Sequence, residues 1–269
     1  MKKLTSTRQQ RGFTLVELSV VLVVVGLLFA AVVKGQEVVD SAKSQKLIND
    51  IKSTEALIQK YAQIKSRMPG DCDSDGVIDF PADKVDRLDT GNSGRANLYD
   101  YTTSQKTYAT AGVGAEISTV HMGCAQENGA PYSVGTVDDI GANNWINDLK
   151  LAGLVSDSVP NRTFAKQVNE DFLFVGSVTD ASGASPNAAK YNAIIVQNVP
   201  QWMARQVATA INGTDANSNR SRVRQLVRNG ADGSYVPLWS DVESTSNVMR
   251  DAMVSVVYFF DRIPATNTD

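Results

Sequence analysis

Histidine is almost missing from this 269-residue chain, and cysteine is scarce: there is one His121, and the only thiols are Cys72 and Cys124. A structural zinc site wants four ligands, so one histidine beside one cysteine does not complete it, and His121 reads as a loop residue. No nucleophile elbow, P-loop or metalloprotease motif occurs, which leaves no legible enzyme site, and the chain reads as a non-enzyme. Charged residues make up 20% and the net charge is -3, which argues against nucleic acid as a partner. Aromatics are also sparse at 7%, and Trp145, Trp202 and Trp239 read as core rather than as ligand platforms. What is present is 42% hydrophobic residues, enough for a real core in one medium domain with an appendage.

The charge is unevenly placed. Lys2, Lys3, Arg8 and Arg11 precede Phe13, and taking those four positive charges from the total of -3 leaves -7 for the rest. A basic leader thus precedes an acidic body. Next comes Gly12-Phe13-Thr14-Leu15-Val16-Glu17-Leu18, and then fourteen residues, Val20 to Val33, without a polar side chain. Phe13 to Val33 is 21 residues, which as a helix spans about 32 Å and crosses a bilayer. Basic residues before the span, with none inside it, set the N-terminus in the cytoplasm. A secretory signal peptide cut at its far end and a plain single-span anchor are the simpler readings. Glu17 counts against both, because a carboxylate in an apolar span costs about 2.5–3.5 kcal/mol on insertion scales. A span that needs only to be apolar gains nothing from it; a span whose carboxylate meets a specific cation does.

Gly12-Phe13-Thr14-Leu15-Val16-Glu17 resembles the cleavage and methylation motif of type IV pilins and type II secretion pseudopilins. The resemblance covers about the first fifty residues. It implies that an inner-membrane prepilin peptidase cuts between Gly12 and Phe13 and methylates the new Phe13 amine. A side-chain-free Gly12 suits a chain lying extended in a protease cleft. It implies too that Glu17 pairs with the Phe13 amine of a neighbouring copy and sets subunit register, a role in which specificity matters more than net stability. The implied function is a structural subunit, pilin or minor pilin, of a type IV pilus-like filament. The alternatives are a pseudopilin of a type II secretion system and, from another class, a membrane-tethered adhesin or binding module. Implied partners are the peptidase, an inner-membrane assembly platform, the inner membrane and other copies or related pilins. Implied location is the bacterial inner membrane, single-pass, and afterwards a periplasm-spanning or extracellular filament. Many such helices carry a proline further along; here Gly26 and Lys34-Gly35 stand instead, and glycine weakens a helix by only about 1 kcal/mol.

The segments expected are a leader over 1–12, a membrane and filament-core helix over 13–34, its amphipathic continuation over 35–67 and a head over 68–269. Asp40 to Lys65 has no Gly or Pro, and Leu47, Ile48, Ile51, Leu57, Ile58, Tyr61 and Ile64 recur at three- and four-residue steps. Met68-Pro69-Gly70 ends that helix. In the head, residues 70–135 read as a long loop region. Helices are expected over Asn143–Leu151 and Pro200–Ile211, and strands over Phe172–Val178, Tyr191–Gln197, Arg220–Val227, Tyr235–Trp239 and Met253–Phe260. The fold class is α+β, and the resemblance adds a pilin-like arrangement with the long N-terminal helix packed on an antiparallel sheet.

Asp71-Cys72-Asp73-Ser74-Asp75-Gly76-Val77-Ile78-Asp79 is the sharpest motif in the head. Carboxylates at alternate positions followed by Gly and an apolar residue resemble a Ca²⁺ loop of EF-hand or dockerin type. Asp71, Asp73 and Asp75 would face one centre, Val77 would add its carbonyl, and Asp79 would bind through water. The twelfth position is Ala82 where a bidentate acid is usual, with Asp83 one residue late. The competing reading is a solvated acidic turn after Pro-Gly. No cofactor is required; Ca²⁺ is the single candidate. Cys72 and Cys124, if exported, form one disulfide, the alternative being two buried thiols. Arg220, Arg222, Arg224 and Arg228 would form a basic stripe, most simply a solvated face or a partner for acids.

Overall fold

In the computed structural model, residues 15–87, 95, 98–99, 124, 139–179, 189–213, 221–229, 232–236 and 252–264 are described. Gly12, Phe13, His121, Arg220 and Trp239 fall outside them. The chain divides into two compact units, Met1–Ala42 and Lys43–Asp269.

Helix α1 runs Leu15–Lys65. Its first part has no inward face: Leu15 is 87% exposed, and Leu22, Leu27 and Phe29 are exposed as well. A helix apolar on all sides suits lipid or other apolar helices rather than water. This is the one described helix long and apolar enough to cross a membrane. In the second unit the pattern changes. Ser44, Leu47, Ile51, Thr54, Ile58 and Tyr61 are buried, at alternating steps of three and four that line one face. Ile48 and Leu57 pack beside them, whereas Ile64 is exposed. The helix stops where Ser66 turns left-handed at φ 57, and Pro69 follows.

The head is a five-stranded antiparallel sheet in the order β1-β2-β5-β3-β4. The strands are β1 (Leu173–Thr179), β2 (Lys190–Pro200), β3 (Val223–Asn229), β4 (Asp232–Val236) and β5 (Met253–Phe259). The fold class is therefore α+β. Helix α2 (Asp139–Leu151) buries Ala142, Trp145, Ile146 and Leu149, spaced for one helical face. A short α3 covers Asn161–Ala165. Helix α4 (Gln201–Asn212) opens after Pro200, buries Met203, Ala204, Val207 and Ala208, and closes at Gly213 (φ 60). Lys52 on α1 donates to the Tyr258 hydroxyl at 2.9 Å, and that hydroxyl donates to Glu55 at 2.8 Å. That contact and the shared apolar cluster seat the second half of α1 on the sheet.

The segment after the acidic loop covers the free edge of β1, where an unpaired strand would otherwise be open to further pairing. Pro81 bridges Ser177 in parallel, and the Ser177 N–H donates to the Phe80 carbonyl at 2.7 Å. A 3-10 helix, Ala82–Arg87, follows. Phe80 stacks on Phe174, and Tyr99 stacks on the same ring at 4.9 Å between centroids.

The arginine stripe is corrected. The strand starts at Val223, so Arg222 precedes it. Arg224 is fully buried, donating to the Ser221 and Pro264 carbonyls at 2.9 and 3.0 Å. Arg222 donates to the Phe259 and Phe260 carbonyls, each at 3.2 Å. These guanidiniums bind the ends of neighbouring segments and do not form a solvated face.

Candidate functional site

Two regions carry functional signal. In the first, Glu17 sits in the first turn of α1, among Leu15, Val16 and Leu18, all exposed. Gly12 and Phe13 lie outside the described residues.

The second is the loop from Asp71 to Asp79. Three of its carboxylates, on Asp71, Asp73 and Asp75, each bring an oxygen within 4.8 Å of the others. The backbone folds this way because the side chains take its N–H groups. Asp71 Oδ2 accepts from Gly76 at 3.1 Å, Asp73 Oδ1 from Asp75 at 3.1 Å and Asp75 Oδ1 from Val77 at 2.7 Å. The last two are the local bonds, two residues on, by which Asp side chains direct tight turns. Gly76 stands at φ +89, where a side chain would strain the backbone. Asp73 and Asp75 are exposed, so the loop opens to solvent; Asp71 beneath them is 1% exposed.

Asp79 lies outside the trio. Its Oδ2 accepts the Cys72 N–H at 2.8 Å and closes the neck of the loop. Burial, then the charges of Asp73, Asp71 and Asp75, push its carboxyl up to about 6, against the bond from Cys72. Asp71 is raised as well, first by burial and further by Asp75 and Asp73, while the Gly76 and Ser74 N–H groups oppose the shift. Asp83 is also outside: its Oδ2 accepts the Thr179 N–H at 3.1 Å, so it serves the β1 edge. Ala82 is fully buried.

Cys72 and Cys124 form a disulfide across a separation of 52 residues. Residues distant in sequence hold the rest of the loop. Asp148 on α2, 1% exposed, accepts the Gly70 N–H at 2.9 Å, the Cys124 N–H at 3.0 Å and Arg67 Nη1 at 2.9 Å. Asn192 on β2, fully buried, accepts the Ile78 N–H and donates to the Gly76 carbonyl, both at 2.8 Å. It also donates to Asp261 at 3.3 Å. Sequence reasoning did not find Asp148, Asn192 or Asp261, and no local pattern around them marks them.

Residues 7–33 match the family described as the prokaryotic N-terminal methylation motif. The match supports a prepilin of the type IV pilin and pseudopilin kind. No curated protein and no solved structure matches the chain significantly.

Proposed function

We propose that this prepilin is cut between Gly12 and Phe13, N-methylated on Phe13 and built into a type IV pilus-like filament as a pilin or minor pilin. One observation carries the reading: the methylation motif at residues 7–33 covers the first part of α1, which from Leu15 to Val33 is exposed on every side and, Glu17 and Ser19 apart, has no polar side chain. Such a helix needs lipid before assembly and other apolar helices after it. Before assembly the chain is a single-pass inner-membrane protein with a cytoplasmic N-terminus, recognised by a prepilin peptidase and an assembly platform. Glu17 pairs with the Phe13 amine of the next copy and fixes the axial register.

The leader is common to pilins and pseudopilins, so a pseudopilin of a secretion system is the second reading. Cys72–Cys124 lies early in the head, not at the C-terminal end where many type IV pilins place their disulfide, which counts against a standard major pilin.

N-terminal mass spectrometry of the membrane and sheared surface fractions tests the processing. The expected species begins with methylated Phe13. An intact Met1, or a cut near Ala31, overturns the proposal. Recovery of the Phe13 species in sheared fibres supports a pilus subunit; its retention in the envelope supports the pseudopilin reading.

A further inference from the structure

We propose that the loop from Asp71 to Asp79 is a calcium site, with the carboxylates of Asp71, Asp73 and Asp75 and the carbonyl of Val77 as its protein ligands. Calcium takes oxygen ligands at about 2.3–2.6 Å, so ligands on one ion lie within roughly 5 Å of each other. The three carboxylates meet that condition, each with an oxygen within 4.8 Å of the other two.

Acidic turns are common without ions, and spacing alone would not decide. The deciding observation is Asp71. It is 1% exposed; its Oδ2 takes the Gly76 N–H, and its Oδ1 is buried with no hydrogen-bond partner among the described residues. A buried carboxylate oxygen left unsatisfied is among the costlier features a fold can hold. The charge of Arg67 acts on Asp71 from nearby, but Oδ1 receives no hydrogen bond from it. The adjacent guanidinium, Arg67, is committed through Nη1 to Asp148 and to the Met68 and Asp71 carbonyls. An ion at the trio supplies the missing partner, and the exposed Asp73 and Asp75 leave it a way in from solvent.

The backbone on either side of Val77 is held in place. Asn192 fixes the carbonyl before it, on Gly76, and the N–H after it, on Ile78, so the peptide between has little freedom. Asn192 is a positioning residue here. The neck is fixed by Asp79 on the Cys72 N–H, and Cys72 itself by its disulfide. A loop ordered in advance loses less entropy when it binds. With Ala82 at the twelfth position and Asp83 held by Thr179, the bidentate acid is missing, so affinity belongs to the weak extracellular class, about 10⁻⁴–10⁻³ M. An ion bound that weakly fills the loop only where calcium reaches a comparable concentration.

The test uses the whole protein in detergent. Equilibrium dialysis against ⁴⁵Ca²⁺ should show one saturable ion per chain in the affinity range given above, and the melting temperature should rise in calcium relative to chelator. The double variant Asp73→Asn/Asp75→Asn keeps the acceptors for the Asp75 and Val77 N–H groups. It should melt with wild type in chelator and bind calcium at least about tenfold more weakly, because affinity follows ligand charge. Absence of saturable uptake by wild type overturns the proposal, whatever the variant does. An equal melting shift with Mg²⁺ overturns it too, since that signals charge screening rather than a site.

Discussion

Gly176 on β1 lies directly against the backbone of Phe80: a Cβ at Gly176 would collide with the Phe80 carbonyl oxygen and press on Ala82 Cβ at 2.9 Å. The contact exists because the Ser177 N–H reaches the same carbonyl at 2.7 Å. The segment leaving the acidic loop is thereby laid along the β1 edge, and only a residue without a side chain admits it at this distance.

Gly176→Ala should therefore destabilise the head. The obstacle is backbone, which cannot rotate away as a side-chain tip can, so the Phe80–Ala82 segment must lift and the Ser177 bond is lost. Overpacking costs about 1–3 kcal/mol, and the lost bond adds about 1 kcal/mol. Thermal melts of the detergent-solubilised protein check this. Equal melting temperatures for Gly176→Ala and wild type would show that the edge segment yields freely.

Asp148 is expected to be the most sensitive single polar residue of the head. It binds Arg67, Gly70 and Cys124 from a buried position. Asp148→Asn removes the charge opposite Arg67 and turns an amide toward at least one N–H donor. Breaking a buried pair from one side costs about 3–5 kcal/mol. The double variant Arg67→Met/Asp148→Asn should lose less than the two single losses together, because no uncompensated charge then remains. A double-mutant cycle in denaturant measures this, and strict additivity would refute the coupling.

These partners explain what could and could not be read from sequence. The helix over Asp40–Lys65 was legible because nothing in it breaks a helix and its apolar steps are periodic; α1 ends at Lys65. Helix α4 and strand β5 likewise lie within a residue of expectation. Strand β2 was expected to end at Gln197 but continues to Pro200, because a bulge at Val196–Val199, with Asn198 at φ 56, carries the chain past the break. Strand β3 begins three residues after Arg220, for the arginines there bind carbonyls instead of facing water. In the acidic loop, alternation along nine residues marks the trio. The anchors Asp148 and Asn192 stand 77 and 121 residues beyond Asp71, and only the assembled sheet and α2 bring them to it. Short-range pattern finds ligands that are neighbours in sequence; it cannot find the side chains that hold them.

The disulfide should contribute stability in the exported protein. Closing a stretch of 52 residues is worth about 4 kcal/mol in the chain-entropy model. Cys72→Ser should lower the stability of the head by an amount of that order and abolish a mobility shift between reducing and non-reducing gels. Alkylation of both thiols in native, unreduced protein would contradict the bridge.

Glu17→Ala separates membrane insertion from assembly. The substitution removes a carboxylate from the apolar part of α1, which lowers the insertion cost by at most about 2.5–3.5 kcal/mol, the value for the middle of a span. Alanine also favours the helix more than most residues, so the variant should reach the membrane at wild-type levels or above and be cut by the peptidase. What it loses is the group that meets the Phe13 amine of the neighbouring copy. A buried amine without its carboxylate is costly among packed apolar helices, and the register it specifies is lost with it. Quantitative blots of membrane and sheared-filament fractions should therefore find Glu17→Ala in the first and strongly depleted in the second. Glu17→Gln serves as the sharper comparison, since it keeps shape and hydrogen bonding but not charge. If the Gln variant assembles as wild type does while Ala fails, a hydrogen bond suffices for register. If both assemble normally, the carboxylate is not the register element, and the apolar face of α1 alone must set the packing.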